Sequence, residues 1–358
     1  MIALRSLRRA LAGCAFIASA STLQGLALAN EPIVNLYSYR QPFLMQPLLD
    51  AFSAQTGIKV NVAYAKKGLV QRLKAEGVNS PADVVLSADI TRAQEIKDAG
   101  LARAIPENVI TANIPAAYRD PEGYWVGLTS RARVIYASKT RVKPGEIRTY
   151  EDLATARFKG RVCTRSGKHE YNVSLLASII SAVGEEKALR WLKGLKANLA
   201  RRPQGNDRAQ VRAIKEGECD VAIGNSYYFG KMATNEKHPE QKQWAEAVHI
   251  VFPNQPQAGT PENSPLGRGA HINISAAILT KSSKNRENAL RLISFLSDSQ
   301  AQRIYAAQNF EYPLKPGVAL DPLVASWGRF KADTANLTNI VRYRDRATRM
   351  MDLVDFDH

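Results

Sequence analysis

"YWVGLTSRARVIYAS", residues 124–138, reads as one long strand with no helix inside it. Around it the chain behaves differently, alternating short apolar strands with helix-length amphipathic segments. A strand of this length can leave one compact unit and enter another. "INISAAILT", 272–280, is a second long strand of the same kind and reads as the return. Two long crossings among short alternations imply two α/β lobes joined by more than one pass of the chain.

Before the first crossing, "IVNLYS" (33–38) leads to "QPLLDAFSAQTG", whose apolar residues recur at helical spacing and whose Gly57 suits a helix stop. "IKVNVAY", the helix "GLVQRLKAEG", the strand "ADVVLSAD" and the helix "TRAQEIKDAG" follow. This rhythm argues for parallel pairing. After the crossing come the strand-like "GRVCTRSG", three helical segments ("SLLASIISAVG", "EEKALRWLKGLKANL", "AQVRAIKEG") and the strand "CDVAIGN". The Pro-, Gly- and Asn-rich stretch at 252–271 marks a loop. "NRENALRLISFLS" and "SQAQRIYAAQ" are helices beyond the return strand. The expected division is a signal peptide over 1–29, an N-lobe over 30–128 completed by a return segment over 266–312, a C-lobe over 129–265, and helices of 313–358 packing on the C-lobe.

The first residues carry Arg5, Arg8 and Arg9 ahead of a short apolar run and the small residues "ALA" at 27–29, the pattern of an export signal cleaved near Ala29. "LRRALA" weakly resembles a twin-arginine signal, while "LAGC" has too little apolar sequence before Cys14 to be a lipidation site. The apolar run is too short to remain as a membrane helix, so no stable membrane insertion is expected. Of the 358 residues, removal of 29 leaves 329, comfortable for two lobes. Removing three arginines from a formal charge of +16 leaves +13. The basic residues are scattered among acids on helical faces, without a basic run interleaved with aromatics, which excludes nucleic acid as the expected partner. Two cysteines remain, Cys163 and Cys219, each in or beside a strand-like run. In an oxidising compartment such a pair is expected to bond.

Ligands of open α/β sheets sit beyond the carboxyl ends of strands. Three such ends carry polar aromatic groups: "SYRQP" (38–42) with Tyr39, Arg40 and Gln41, "SGKHEYN" (166–172) with His169 and Tyr171, and "NSYYFG" (225–230) with Tyr227 and Tyr228. A free tyrosine has a pKa of about 10 and ionises at neutral pH only beside a strong positive charge. A hard trivalent cation such as Fe³⁺ supplies that charge and prefers anionic oxygen ligands. Three phenolates neutralise it, open positions suit a small anion such as carbonate or bicarbonate, and an arginine fork is suited to holding that anion.

The blocks "YSYRQPFLMQPLLDAFSAQTGIKVNVAYAKKGLVQRLKAEG", "SPADVVLSADITR", "VCTRSGKHEYNVSLLAS", "NLARRPQGNDRAQVRAIKEGECDVAIGNSYYFGKM" and "NFEYPL" strongly resemble the periplasmic ferric-ion-binding proteins of ABC iron importers. The similarity spans essentially the whole chain beyond residue 29. It implies a type II periplasmic-binding-protein fold, with mixed, mostly parallel sheets and hinge strands, closing on Fe³⁺ and delivering it to an inner-membrane permease. Tyr171, Tyr227 and Tyr228 match the iron ligands, and Arg40 with Gln41 matches the holders of a synergistic anion. Many relatives carry a histidine ligand where this chain has Gln41-Pro42, so it resembles the branch using tyrosines plus an exogenous anion. His169, a lone loop histidine, reads as solvated rather than ligating. Arg131, Asp89 and Asn172 are candidates for supporting positions; for Asp89 and Arg131 a helix cap and a hinge ion pair are the plainer readings.

Two other functions fit a two-lobed scaffold: a carrier for another solute (an oxyanion or an amine), and a secreted enzyme. The sequence has no HExxH, no GxSxG and no P-loop, since the glycines of "GRVCTRSGK" are misspaced. "GRGAH" lacks the third glycine of a dinucleotide fingerprint, and its His271 is expected to pack near the return strand. A periplasmic monomer without catalytic residues is the expectation.

Overall fold

The computed structural model describes residues 31–259, 261, 264–333 and 337–358. The expected signal segment and its cleavage point lie outside the described residues. From Pro32 to His358 the chain forms one compact unit.

The strands are β1 (Ile33–Ser38), β2 (Lys59–Tyr64), β3 (Val84–Ser87), β4 (Ala102–Arg103), β5 (Val126–Ser138), β6 (Val162–Cys163), β7 (Val221–Asn225), β8 (Val248–Val251), β9 (Ile272–Thr280) and β10 (Tyr312–Pro313). Between β1 and β5 lie the helices α1 (Pro42–Thr56), α2 (Leu69–Glu76), α3 (Ile90–Asp98) and α4 (Glu107–Ile110). Between β5 and β9 lie α5 (Glu170–Val183), α6 (Glu185–Ala197), α7 (Asp207–Glu216), α8 (Tyr227–Ala233) and α9 (Glu240–Glu246). Beyond β9 come α10 (Arg286–Ser297), α11 (Ser299–Asn309), α12 (Pro322–Ser326), α13 (Leu337–Arg342) and α14 (Arg344–Leu353).

β5 is the crossing strand. Its first half, through Ala132, pairs antiparallel with β9, while Arg133–Ala137 pairs antiparallel with β7 and its last residues with β8. All of its residues are buried, as are those of β9. β5 is buried along its whole length by two successive partner sets although it carries Thr129, Ser130, Arg131, Arg133 and Ser138, and what marks it in the sequence is its length without a helix break. β1 runs parallel to β2 and β3, and β6 parallel to β7. The sheets are mixed, as expected, but the parallel share is smaller than the strand-helix rhythm suggests. Every pairing made by β5 and β9 is antiparallel, because each runs against the strands it joins.

Two helices start earlier than their apolar periodicity indicates. α1 begins at Pro42, whose missing N–H costs nothing at the first helical position. It ends on Gly57 in the left-handed conformation, φ 69°, as the sequence suggests. α5 begins at Glu170, because the His169 side chain accepts from the Tyr171 N–H and caps the helix. Tyr171 therefore stands on the first turn of a helix.

Cys163 and Cys219 are joined as a disulfide. The bond lies in a small apolar cluster with Tyr136, Val211, Ile214 and Met232, behind β6 and β7. It ties the approaches to both tyrosine-bearing helices.

Candidate functional site

The paired tyrosines leave β7 through Ser226 and occupy the first turn of α8. Their rings are in contact and tilted, with centroids 4.3 Å apart and planes at 34°. Strand alternation would have sent them to opposite sides. The helical turn instead brings both to one place, and the Tyr171 hydroxyl from α5 lies 3.2 Å from that of Tyr227. Bonds of about 2.0–2.1 Å in an octahedral shell put neighbouring oxygens roughly 3 Å apart, so these two phenols suit adjacent positions on one small hard cation.

Tyr227 and Tyr228 are held as neutral phenols. Burial, then Tyr171, Tyr228 and Asp207, pushes Tyr227 well above its usual pKa. Burial, then Tyr171 and Asp207, pushes Tyr228 up to about 12. Such a cluster ionises only if a cation replaces the lost hydration. The surroundings are already cationic: Arg133 and Arg165 lie over the Tyr171 ring, Arg208 over Tyr228 and the Lys231 ammonium over Tyr227. Burial, then Arg40 and Arg208, lowers Lys231 to about 8 despite Glu311.

A buried network holds the loop before α5. Asp207, fully buried, accepts from Arg133 at 2.5 Å and from Arg165 at 2.6 Å. Arg133 also donates to the Asn172 side chain at 2.7 Å, and Asn172 donates to Thr164, to the Arg165 carbonyl and to the Ser166 carbonyl. Asn172 is thus a support of the Tyr171 loop. Asp89 caps α3, accepting from the Arg92 N–H at 3.0 Å. Arg92 lies 3.0 Å from Glu170 on α5, linking the turn after β3 to the residue beside Tyr171.

Arg40, half-buried, donates to the fully buried Glu311 at 2.7 and 3.0 Å, and also to Ser275. Burial opposes its charge, but Glu311 outweighs that and holds the guanidinium firmly protonated, with Tyr227 among the contributing groups. Burial would likewise raise Glu311, but Arg40, Arg131 and the Thr129 hydroxyl keep it below the usual carboxylate value. The Arg40 Nε is buried without a partner.

Several sequence expectations change here. Gln41 is exposed at the start of α1 and its side chain caps nothing. Tyr39 turns away from the phenol cluster, its hydroxyl accepting from the Val70 N–H. His169 is half-buried rather than solvated, and burial, with Arg165 and Arg133, lowers it to about 4. Arg131 does not form a hinge ion pair with any described carboxylate. It donates to the Ala88 carbonyl and to Ser275, satisfying a strand end instead. His271 is buried at the start of β9, as expected, with its Nε2 3.1 Å from the Ser174 hydroxyl. Among the described residues no cluster of His, Cys, Asp and Glu suits a metal ion, which leaves the phenols as the candidate donors. Arg133, Asp207, Lys231 and Glu311 were not singled out in the sequence. A charged residue inside an apolar strand, as Arg133 is, was the available signal.

The family model of bacterial extracellular solute-binding proteins matches residues 48–332. This chain belongs to the bacterial extracellular solute-binding proteins. This solute-binding protein is 43% identical to iron uptake protein A1 of Synechocystis sp., over 89% of its own length and 86% of the relative's. A solved ferric iron-binding protein A of Mannheimia haemolytica, in an open conformation, superposes with a TM-score of 0.84 at 51% identity, covering 91% of this chain and 99% of that one. A Trichodesmium protein solved in complex with iron and citrate gives 0.84 at 39% identity, over 90% and 99%. The solute-binding protein therefore has the two-lobed type II periplasmic-binding fold. No helix among its described residues is long and apolar enough to cross a membrane.

Proposed function

We propose that this protein captures ferric iron in the periplasm and delivers it to the permease of an ABC importer. The observation that carries this reading is the convergence of Tyr171, Tyr227 and Tyr228 from two helix starts, with two hydroxyls 3.2 Å apart, inside a cationic surround. The α5 N-terminus adds partial positive charge beside Tyr171. Iron uptake and ferric-binding relatives at high coverage support the same cargo. In this reading the phenolates are the protein ligands, Arg40 holds a synergistic anion such as carbonate, and Gln41 joins it on closure. Arg131, Asp89 and Asn172 support the loops. The protein acts as a monomer and performs no chemistry on its cargo beyond binding and release. Its signal peptide ends near Ala29, and its lobes divide as 30–128 with 266–312 against 129–265, with 313–358 on the C-lobe.

Addition of ferric iron to the metal-free protein should produce a visible phenolate-to-iron charge-transfer band that strong chelators remove. A protein that stays colourless with ferric iron, yet binds an oxyanion or amine, overturns the reading.

A further inference from the structure

Residues far along the chain return to the tyrosine loop. The Asp357 carboxylate accepts from the Ser166 hydroxyl at 2.5 Å and from the Gly167 N–H at 2.6 Å. Phe356, buried, packs on the Gly167 backbone so closely that a Cβ there would lie 2.6 Å from its ring and 2.8 Å from the Met351 sulfur. Glycine at 167 is thus required by close approach rather than by its dihedral angles. Lys196 on α6 holds the incoming backbone, donating to the Val354 and Asp355 carbonyls. On its other side the same loop is held by Asn172, which takes the Arg165 and Ser166 carbonyls. Ser166 in turn accepts from the Lys168 N–H, and its carbonyl from the His169 N–H, next to the α5 cap.

We infer that Asp357 and Phe356 are positioning residues that fix the 166–169 turn and, through it, the Tyr171 phenol in the cation site. The inference rests on the proposed reading of Tyr171 as an iron ligand. Two hydrogen bonds from one carboxylate set both position and orientation of a short turn, and a ligand atom two residues further on inherits that geometry. The segment also packs on more than the loop. α14 lies on α5, and α13 lies on both α5 and α3, the helix whose Arg92 meets Glu170. It therefore spans the two elements that face each other beside Tyr171.

The test compares wild type with Asp357→Ala, Asp357→Asn and Ser166→Ala, using the exposed Lys168–Asp352 pair as a control through Asp352→Asn. Ferric affinity is measured by citrate competition, alongside the position of the charge-transfer band, the melting temperature, and hydrogen exchange of the 167–172 amides without metal. Removing partners that orient a ligand costs about 10- to 100-fold in metal affinity. Asp357→Ala is expected to lose that much and shift the band, Asp357→Asn to keep part of it, and Asp352→Asn to match wild type. Ser166→Ala removes one bond only and keeps the test open should Asp357→Ala misfold. Wild type that binds iron while Asp357→Ala and Ser166→Ala stay within twofold of it overturns the inference. A wild type without the band overturns the proposed cargo instead, and the inference then fails if exchange at 167–172 is unchanged in Asp357→Ala.

Discussion

The hydroxyls of Tyr171 and Tyr227 meet at 3.2 Å across 56 residues of sequence, each on the first turn of its helix. This brings two phenols together where burial disfavours ionising Tyr227. Removing one oxygen while keeping its ring separates packing from ligation. Tyr171→Phe, Tyr227→Phe and Tyr228→Phe should each fold, lose most of the charge-transfer colour and bind ferric iron far more weakly than wild type. The expected loss exceeds the roughly 10–100-fold typical of outer partners. Unchanged affinity in all three variants would remove the phenols from the ligand set.

Asp207 sits between Arg133 and Arg165 with no exposure. Deleting the central acid leaves two cations confined without a counter-charge, a change that costs about 3–5 kcal/mol when a buried pair is broken. Asp207→Ala should therefore lower urea-unfolding stability by about that amount in the metal-free protein. A loss under 1 kcal/mol would mean that water reaches these arginines.

How much of this was legible in the sequence follows from what each feature depends on. The crossing strand β5 is read easily because it runs from Val126 to Ser138 without a helix or a turn signal inside it. The tyrosine loops are read from residue types at strand ends. The Asp207 triad and the Glu311 partner of Arg40 are not, because a carboxylate's burial depends on which distant segment covers it. Arg40 and Glu311 are separated by 271 positions yet lie in contact. The His169 cap is not legible for a local reason: histidine is not among the favoured capping residues, so the apolar periodicity alone starts α5 near Ser174.

His271 gives a pH prediction. Burial, then Arg133, Arg268 and Arg131, lowers it to about 3, against about 6.5 in an unfolded chain. Above pH 6.5 neither state is protonated and its contribution to stability is fully present. As pH falls from 6.5 toward 3 the unfolded state gains the proton first, so stability is lost, at up to about 1.4 kcal/mol per pH unit. Burial lowers His249 as well, so the informative quantity is a difference. His271→Asn should flatten the stability profile between pH 6 and 4 relative to wild type. Parallel profiles would mean that His271 takes up its proton in the folded protein as readily as in the unfolded chain.

The Cys163–Cys219 bond closes a loop with a sequence separation of 56. In the chain-entropy account such a closure is worth about 4 kcal/mol, with strain reducing it. Reduction, or Cys163→Ser with Cys219→Ser, should lower unfolding stability by about 2–4 kcal/mol. Thiol titration of the denatured, unreduced protein lacking residues 1–29 should find no free sulfhydryl.

Arg40 already serves one carboxylate, and that determines how its anion role must be tested. Its Nη2 is engaged with Glu311 and Ser275, while its Nε is buried without a partner and so is a donor left for a second anion. Bound carbonate on the metal would accept from that donor, and metal and anion would strengthen each other. Protons compete for phenolate and carbonate oxygens alike, so acid should release the metal. Arg40→Gln removes the donor but also strands Glu311 in a buried site, so an affinity loss alone decides nothing. The deciding quantity is the bicarbonate dependence, measured by iron titration of wild type and Arg40→Gln with and without bicarbonate, and Arg40→Gln/Glu311→Gln relieves the stranded charge. Wild type should gain affinity from bicarbonate, and both variants should gain much less. An equal gain in all three would mean that Arg40 serves to neutralise Glu311 and that the anion is held elsewhere.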